Sequence, residues 1–400
     1  MHDIDKIRAY WASWINGNVK IVPNIIENTP ELNDLLHTPQ SRSLHAEGSV
    51  ARHTILCCEA INEILEVVPS DQRTILRLAV LLHDIAKPEC IIEAAPGIYS
   101  FPEANRLSSC KARLLLEKYT KISFKDKESV LALINNHVVP LYLIKKGRPI
   151  RELQKVSLEC NLQTLYNLVK VNYIGRTSLN MRERFEEIET FKKWCIQQDY
   201  WNGKIWKGLL DLEAYMSYGK NAYVAKSIID WFYLFGAVDD YSDAQNLISS
   251  HNNWQWGTLI MTVGLPASGK STWVKDNYPM LNIVSSDDIK EELSVNKYDK
   301  EHYNSVNAIA DKKIDYYLSR GAQVVYDAPN VTFERRKVVI DRARALGANI
   351  IIINFATPYE ICLSRIKAKI NPSVTPNDLH NLALDYDYVS VYECNKLVYV

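Results

Sequence analysis

Two hydrophobic textures divide this chain. In the first, apolar residues recur at three- and four-residue spacing through Val50–Val67, Gln72–Ala86, Lys127–His137 and Ile150–Gly175, which predicts amphipathic or buried helices. Pro88, Pro96 and Pro140 punctuate them. No strand-like alternation of comparable strength appears there, so this part is expected to be all-α. Met181–Gln197 reads as a charged surface helix. The second texture begins near Thr258, where short β-branched runs (Leu259–Val263, Leu281–Ser285, Gln323–Asp327, Ile350–Phe355) alternate with helical stretches (Lys270–Asn277, Tyr303–Ser319, Phe333–Leu346, Tyr359–Ala368). Such βα alternation predicts a parallel sheet wrapped by helices.

Between them, residues up to 255 are dense in aromatics, among them Trp201, Trp206, Tyr215, Trp231, Phe235, Trp254 and Trp256. Few basic residues interleave with these rings. A packing role therefore outweighs a base-stacking platform. The expected organisation is multidomain: an all-α domain at 1–180, a helical connector at 181–255 and an α/β domain at 256–400.

Composition narrows the partners. The 400 residues carry 47 Lys+Arg against 47 Asp+Glu, and residues 257–400 balance as well, 17 against 17. Any nucleic-acid contact should be local, at a strand end rather than along a duplex. Eight cysteines without a C-x-x-C pair point to a reducing, cytoplasmic setting. No apolar run is long enough to predict a membrane span, and the first residues lack a signal-peptide pattern.

The strongest chemical signal follows the run Leu259–Val263. Gly264-Leu-Pro-Ala-Ser268-Gly269-Lys270-Ser271-Thr272 has strand–loop–helix context and the spacing of a phosphate-binding P-loop. Loop amides and the helix N-terminus can cradle a triphosphate, Lys270 can reach its outer phosphates, and Ser271 can ligate Mg²⁺. ATP or another NTP with Mg²⁺ is the expected cofactor. The next runs end in Ser285-Ser286-Asp287-Asp288-Ile289-Lys290 and in Asp327-Ala-Pro-Asn330, followed by Glu334-Arg335-Arg336. A carboxylate at a parallel strand's carboxyl end lies beside the phosphate site and can accept a hydroxyl proton. Asp288 is as well suited to capping the following helix. One of Arg335 and Arg336 reads as a solvated helix residue, and Lys367 as surface.

Together these segments resemble the 5′-polynucleotide kinase branch of P-loop phosphotransferases, over about 140 residues. The resemblance implies that Asp287 is the general base for a 5′-hydroxyl. It sets Lys290 on the acceptor phosphate, where the family usually has arginine, with Asp327, Asn330 and Arg336 on the acceptor side. It also implies a lid carrying Arg365 and Lys369, the latter where the family has a second arginine. Lysine keeps the charge but loses the bidentate fork.

A second constellation lies upstream: the run from His45 to His53, then His83-Asp84-Ile-Ala-Lys87-Pro88, then Asn135-Asn136-His137. Adjacent imidazole and carboxylate donors at a helix end suit a divalent transition metal (Mn²⁺, Ni²⁺, Fe²⁺ or Zn²⁺). Lys87, four residues after His83, can reach a substrate phosphate. These residues resemble the HD phosphohydrolase superfamily across about 40–177. The resemblance implies metal ligands at His53, His83 and Asp84, with the fourth ligand position at Asn172 where the family has Asp. It also implies phosphate contacts from Lys87, His137 and Arg176. A further histidine common in the family, near Phe101–Arg106, is missing. An amide in place of a carboxylate removes a charge from the metal and implies a weakened or inactive phosphoesterase.

The order of HD module, connector and kinase resembles bacterial bifunctional end-healing enzymes. These combine a 3′-phosphatase or 2′,3′-cyclic phosphodiesterase with a 5′-kinase. RNA or DNA ends and a polynucleotide ligase are the expected partners, without a membrane, and homodimerisation stays open. Alternatives are a kinase with a dead HD module that binds RNA or a partner, a small-metabolite kinase, and a non-enzymatic NTP-dependent switch.

Overall fold

Local capping chemistry sets where the helices of the first half begin. Ser49 accepts from the Arg52 amide (3.2 Å) at the start of the helix Val50–Ala60, and Ser123 from the Asp126 amide (3.1 Å) at the start of the helix Phe124–Asn136. The long apolar pattern at Ile150–Gly175 is two helices, because Cys160 is extended and Asn161 caps a new start by accepting from the Thr164 amide. Val50–Val67 likewise stops being α-helical after Ala60 and continues as two 3₁₀ turns.

The computed structural model describes residues 4–178, 181–203, 205–250, 254–293, 300–368 and 374–400. They fall into two units, Met1–Trp206 and Lys207–Val400. The first holds α1 (Ile4–Ile15), α2 (Val22–Asn28), α3 (Val50–Ala60), α4 (Ser70–Leu82), α5 (Ala104–Tyr119), α6 (Phe124–Asn136), α7 (Val139–Lys145), α8 (Ile150–Glu159), α9 (Leu162–Ile174) and α10 (Met181–Gln197). It is helical but not all-α. Ile92–Ala95 (β1) and Ile98–Ser100 (β2) form an antiparallel hairpin. The hairpin is largely exposed, with no buried face to give it a readable alternation. Trp11, Trp14, Leu76, Leu78, Leu116, Ile134 and Leu168 are among the side chains sealed in the core.

In the second unit a 3₁₀ helix at Leu212–Asn221, then α11 (Ala222–Leu234) and α12 (Tyr241–Ser250), precede the sheet, so the segment read as a connector divides at Trp206 and Lys207. Its five-stranded sheet runs β4 (Asn282–Ser285), β5 (Gln323–Asp327), β3 (Thr258–Val263), β6 (Asn349–Asn354), β7 (Lys396–Tyr399), with every neighbour parallel. The helices are α13 (Lys270–Asn277), α14 (Ser286–Glu292), α15 (Lys300–Leu318), α16 (Phe333–Ala345), α17 (Tyr359–Lys367) and α18 (Pro376–Leu384). Strand β3 is central and almost wholly buried, as a parallel strand covered on both faces must be. Ile260, Val274, Val325, Ile353 and Phe355 pack together beneath the loop that follows it.

The aromatics of α11 pack inside this unit. Trp231 donates its indole N–H to Asp341 on α16 (2.7 Å) and packs at a tilt against the rings of Phe235 and Tyr392. Arg344 is sealed beside it, its guanidinium 5.5 Å from the Trp231 ring centroid and donating to Ser227 (2.8 Å). Burial lowers the Arg344 pKa to about 10.

Arg336 and Glu393 are both wholly buried and ion-paired at 2.6 Å. The same guanidinium donates to the carbonyls of Val331 and Tyr388, tying the loop after β5 to the chain ahead of β7. Removing one partner of such a pair strands a buried charge. Arg336→Ala is expected to cost about 3–5 kcal/mol, read as a lower denaturant midpoint for the second unit. A midpoint within experimental error of wild type would show that the clamp carries no stability.

Candidate functional site

The P-loop is built as the end of β3 turns into α13. Gly269 sits at φ +103, a left-handed conformation that glycine adopts without a Cβ penalty, and caps α13. Ala267 takes φ +62 just before it, an uncommon setting for a residue with a side chain. The loop is held from outside. Gly264 donates its amide to the Pro329 carbonyl (2.9 Å), Thr357 donates its hydroxyl to the Ser268 carbonyl (2.9 Å), and Arg365 donates to the Ala267 carbonyl (2.9 Å).

Lys270 is buried and folds back on the loop, donating to the carbonyls of Leu265 (2.7 Å) and Gly264 (3.0 Å). Among the described residues it has no carboxylate within ion-pairing distance. Burial pulls its pKa down to about 8, against the opposing charges of Asp327 and Asp287. A cation so placed lacks an anion, and a triphosphate supplies one. Ser271 and Thr272 are exposed on the first turn of α13. The loop therefore fits an NTP with Mg²⁺: Lys270 and the loop amides on phosphates, the Ser271 hydroxyl on the ion.

The acceptor-side residues gather at the same sheet edge. Ser285 pairs in register with Asp327 across β4 and β5. Ser285, rather than Asp288, caps α14, accepting from the Asp288 amide at 3.2 Å. Asp287 remains more than half exposed, 3.3 Å from Lys290. Thr262 at the end of β3 donates to the Ala328 carbonyl (2.9 Å) and accepts from the Ala328 amide (3.2 Å), fixing the segment that follows Asp327. Asn330 stands at φ +46 and donates to the Thr262 carbonyl (2.9 Å), while its buried Oδ1 has no hydrogen-bond partner among the described residues.

Two arginines turn out to be structural. Arg336, expected on the acceptor side, is spent on Glu393 and backbone carbonyls and has no exposed surface. Arg335 is not solvated either, pairing with Asp311 (2.6 Å) and the Tyr326 hydroxyl (2.9 Å). Lys367 is exposed, and Lys369 lies outside the described residues. Thr262 and Thr357 went unread because lone threonines in a strand and a loop carry no pattern.

In the first unit, His53 (α3), His83 and Asp84 (the end of α4) and His137 (the end of α6) converge. His45, His53, His83 and His137 form a chain of edge-to-face rings, with centroids 4.8, 5.5 and 5.2 Å apart. Asp84 Oδ2 lies 3.2 Å from His83 Nε2, 3.8 Å from His53 Nε2 and 2.7 Å from Lys87 Nζ. The Lys87 contact is an ion pair off hydrogen-bond geometry, so Oδ2 keeps acceptor capacity. Lys87 also donates to Gln40 (2.8 Å).

Three imidazoles have one nitrogen turned outward from the cluster. His83 Nδ1 faces the Val80 carbonyl (2.9 Å), His137 Nδ1 faces the Ile134 carbonyl (2.7 Å), and His53 Nδ1 faces Glu47 Oε1 (2.9 Å). With N–H on those atoms, each Nε2 presents a lone pair, the tautomer metal-binding histidines need. His83 Nε2 is buried without a hydrogen-bond partner among the described residues. Burial pulls His53 down to about 3 and His137 to about 4, which keeps both imidazoles neutral. A divalent ion fits this donor set.

Glu47 was not singled out in the sequence, yet its Oε1 holds both His45 (2.8 Å) and His53, and its Oε2 accepts from the Thr177 amide (3.0 Å). These bonds hold its carboxyl below the usual range, although burial opposes them. Two histidines flanking a carboxylate in one short run were the available signal. Asn172, expected at the fourth ligand position, accepts from Arg176 through its Oδ1 (2.9 Å).

The state of Lys270 predicts a proton effect. Above pH about 8 the buried amine is neutral, and a bound triphosphate raises its pKa again. ATP binding should therefore take up protons at about pH 8.5 and weaken as pH rises further, with little uptake near pH 7. Calorimetry in buffers of different ionisation heat reads this directly. Equal affinity and no uptake across that range would contradict it.

Against known proteins, no curated protein matches the chain. One family, described as "AAA domain", matches residues 259–386, a span from β3 through α18 that contains the loop, both acidic strand ends and Arg365. That match, with the parallel sheet and the geometry of Lys270, supports a P-loop, kinase-like nucleotide-binding domain in the second unit.

Proposed function

We propose that the protein phosphorylates 5′-hydroxyl ends of RNA or DNA with ATP. The observation that carries this reading is the convergence at one sheet edge of the P-loop cation, Asp287 with Lys290, and Asp327. Both carboxylates act electrostatically on Lys270, so donor and acceptor machinery share one field. Lys270 and the loop amides hold the triphosphate. Ser271 would hold Mg²⁺, which would supply charge to offset that of the transferring group. Asp287, exposed at the mouth, takes the proton of the attacking hydroxyl. Lys290 beside it holds the phosphate flanking that hydroxyl. Arg365, already against the loop tip, offsets charge on the phosphoryl group, with Lys369 as its companion.

The first unit, on this proposal, is an HD-type metal site for 3′-phosphate or 2′,3′-cyclic phosphate ends, weakened by Asn172. His53, His83 and Asp84 hold the ion, while Lys87, His137 and Arg176 serve the phosphate. Asn172 is a neutral amide whose oxygen accepts from Arg176, so the charge the family's aspartate would supply is missing.

Transfer of labelled γ-phosphate to a 5′-hydroxyl oligonucleotide tests the kinase. Asp287→Asn should lower kcat by about 10²-fold or more with ATP binding retained, and Lys270→Ala should abolish transfer. Full transfer by Asp287→Asn would remove it as the base. Preference for free nucleosides over oligonucleotides would redirect the assignment to a small-metabolite kinase. For the first unit, Asn172→Asp should raise hydrolysis of a 3′-phosphate or cyclic phosphate by about tenfold or more. Vigorous wild-type hydrolysis without any gain in the variant would overturn the weakened-site reading.

A further inference from the structure

Cys57 lies one helical turn after His53 on α3, with no exposed surface. Its Sγ is 3.4 Å from His53 Nε2, and the donor atoms of His53, Cys57 and His83 all fall within 4.8 Å of one another. The thiol thus stands among the Nε2 lone pairs just described, beside the unpartnered His83 Nε2.

The Cys57–His53 spacing is that of a coordination shell, and the two Asp84 contacts fall on either side of it. Donors bound tetrahedrally to one zinc-sized ion, at about 2.0–2.3 Å, lie about 3.3–3.6 Å from each other. Here Cys57 Sγ to His53 Nε2 is 3.4 Å, His83 Nε2 to Asp84 Oδ2 is 3.2 Å, and His53 Nε2 to Asp84 Oδ2 is 3.8 Å. The backbone brings the sulfur there by close approach of two helices. A Cβ on Gly175, just past α9, would meet the Cys57 amide nitrogen at 2.4 Å and its Sγ at 2.7 Å. Only glycine at that position lets α3 sit where its fourth-residue thiol reaches the histidines.

We infer that Cys57 is the fourth ligand of the metal in this unit, a thiolate completing a His53–His83–Asp84–Cys57 shell that selects zinc. This rests on the metal reading above and adds a ligand to it. On binding, the Sγ–H bond breaks, the proton leaves to solvent, and the sulfur lone pair forms the metal bond. The thiolate adds a second negative charge to a pocket in which the Lys87 ammonium already lies 2.7 Å from Asp84 Oδ2. With Asn172 turned to Arg176, the His53–His83–Asp84 set alone would leave one net positive charge buried. Thiolate also shifts preference from Mn²⁺ toward Zn²⁺.

The test uses the full chain loaded with Co²⁺ or Zn²⁺. Cobalt-loaded protein should show thiolate-to-cobalt charge-transfer absorption, and Cys57→Ser should lose that band while still binding cobalt, with zinc affinity down by about tenfold or more. Zinc-edge X-ray absorption on the wild-type protein should find one sulfur neighbour at about 2.3 Å, which needs no variant. Stoichiometric metal with no sulfur neighbour, or a band that survives in Cys57→Ser, overturns the thiolate ligand and leaves the metal site standing. Failure of the wild-type protein to bind either ion overturns both.

Discussion

Parallel pairing of β3 with β5 and β6 is the constraint from which the chemistry of the second unit follows. Parallel strands deliver all their carboxyl ends to one edge. The P-loop, the Asp327 segment and the chain leading to Thr357 therefore emerge side by side, and β4 adds Asp287 by pairing with β5. Both faces of such a sheet must be covered, which is why the strands are apolar runs and why charged groups beside them are paired deep inside. Arg336 with Glu393 and Arg335 with Asp311 are the cost of that burial turned into fastening. The same burial leaves Lys270 with carbonyl partners only.

The first unit solves a different problem, orienting four imidazoles packed edge to face. Backbone carbonyls one turn back, at Val80 and Ile134, take the outward nitrogens of His83 and His137, and Glu47 takes that of His53. Orientation comes from helix ends: His83 and His137 each follow the last residue of a helix, where the carbonyl three residues earlier is within reach. Function at such a cluster depends as much on these carbonyls and on Glu47 as on the inward-facing atoms.

Much of this was legible in the sequence. Buried parallel strands write themselves as uninterrupted β-branched runs, and Gln323–Asp327 is found with the same ends. The P-loop and the His83-Asp84 pair are local in sequence and survive folding unchanged. What escaped was non-local or short. The hairpin at Ile92–Ser100 buries no face, and β7 has only four residues, so neither imposes a period. Asn161 resets a helix inside an unbroken apolar pattern because a cap needs one side-chain oxygen, not a change in hydrophobicity. Arg336 misled because its partner lies 57 residues away. Cys57 carried no individual signal, because its place beside the histidines depends on the close approach of Gly175 to α3.

The self-contacts of Lys270 also set a threshold on what can enter. With its ammonium satisfied by the Gly264 and Leu265 carbonyls, the closed loop offers little to a weak or singly charged anion, which would have to displace those bonds for a small return. A polyphosphate brings several charges at once and engages the amides of the helix end as it draws the lysine away. Entry of an anion therefore costs the two Lys270 hydrogen bonds, a cost that several phosphate charges together offset more readily than one.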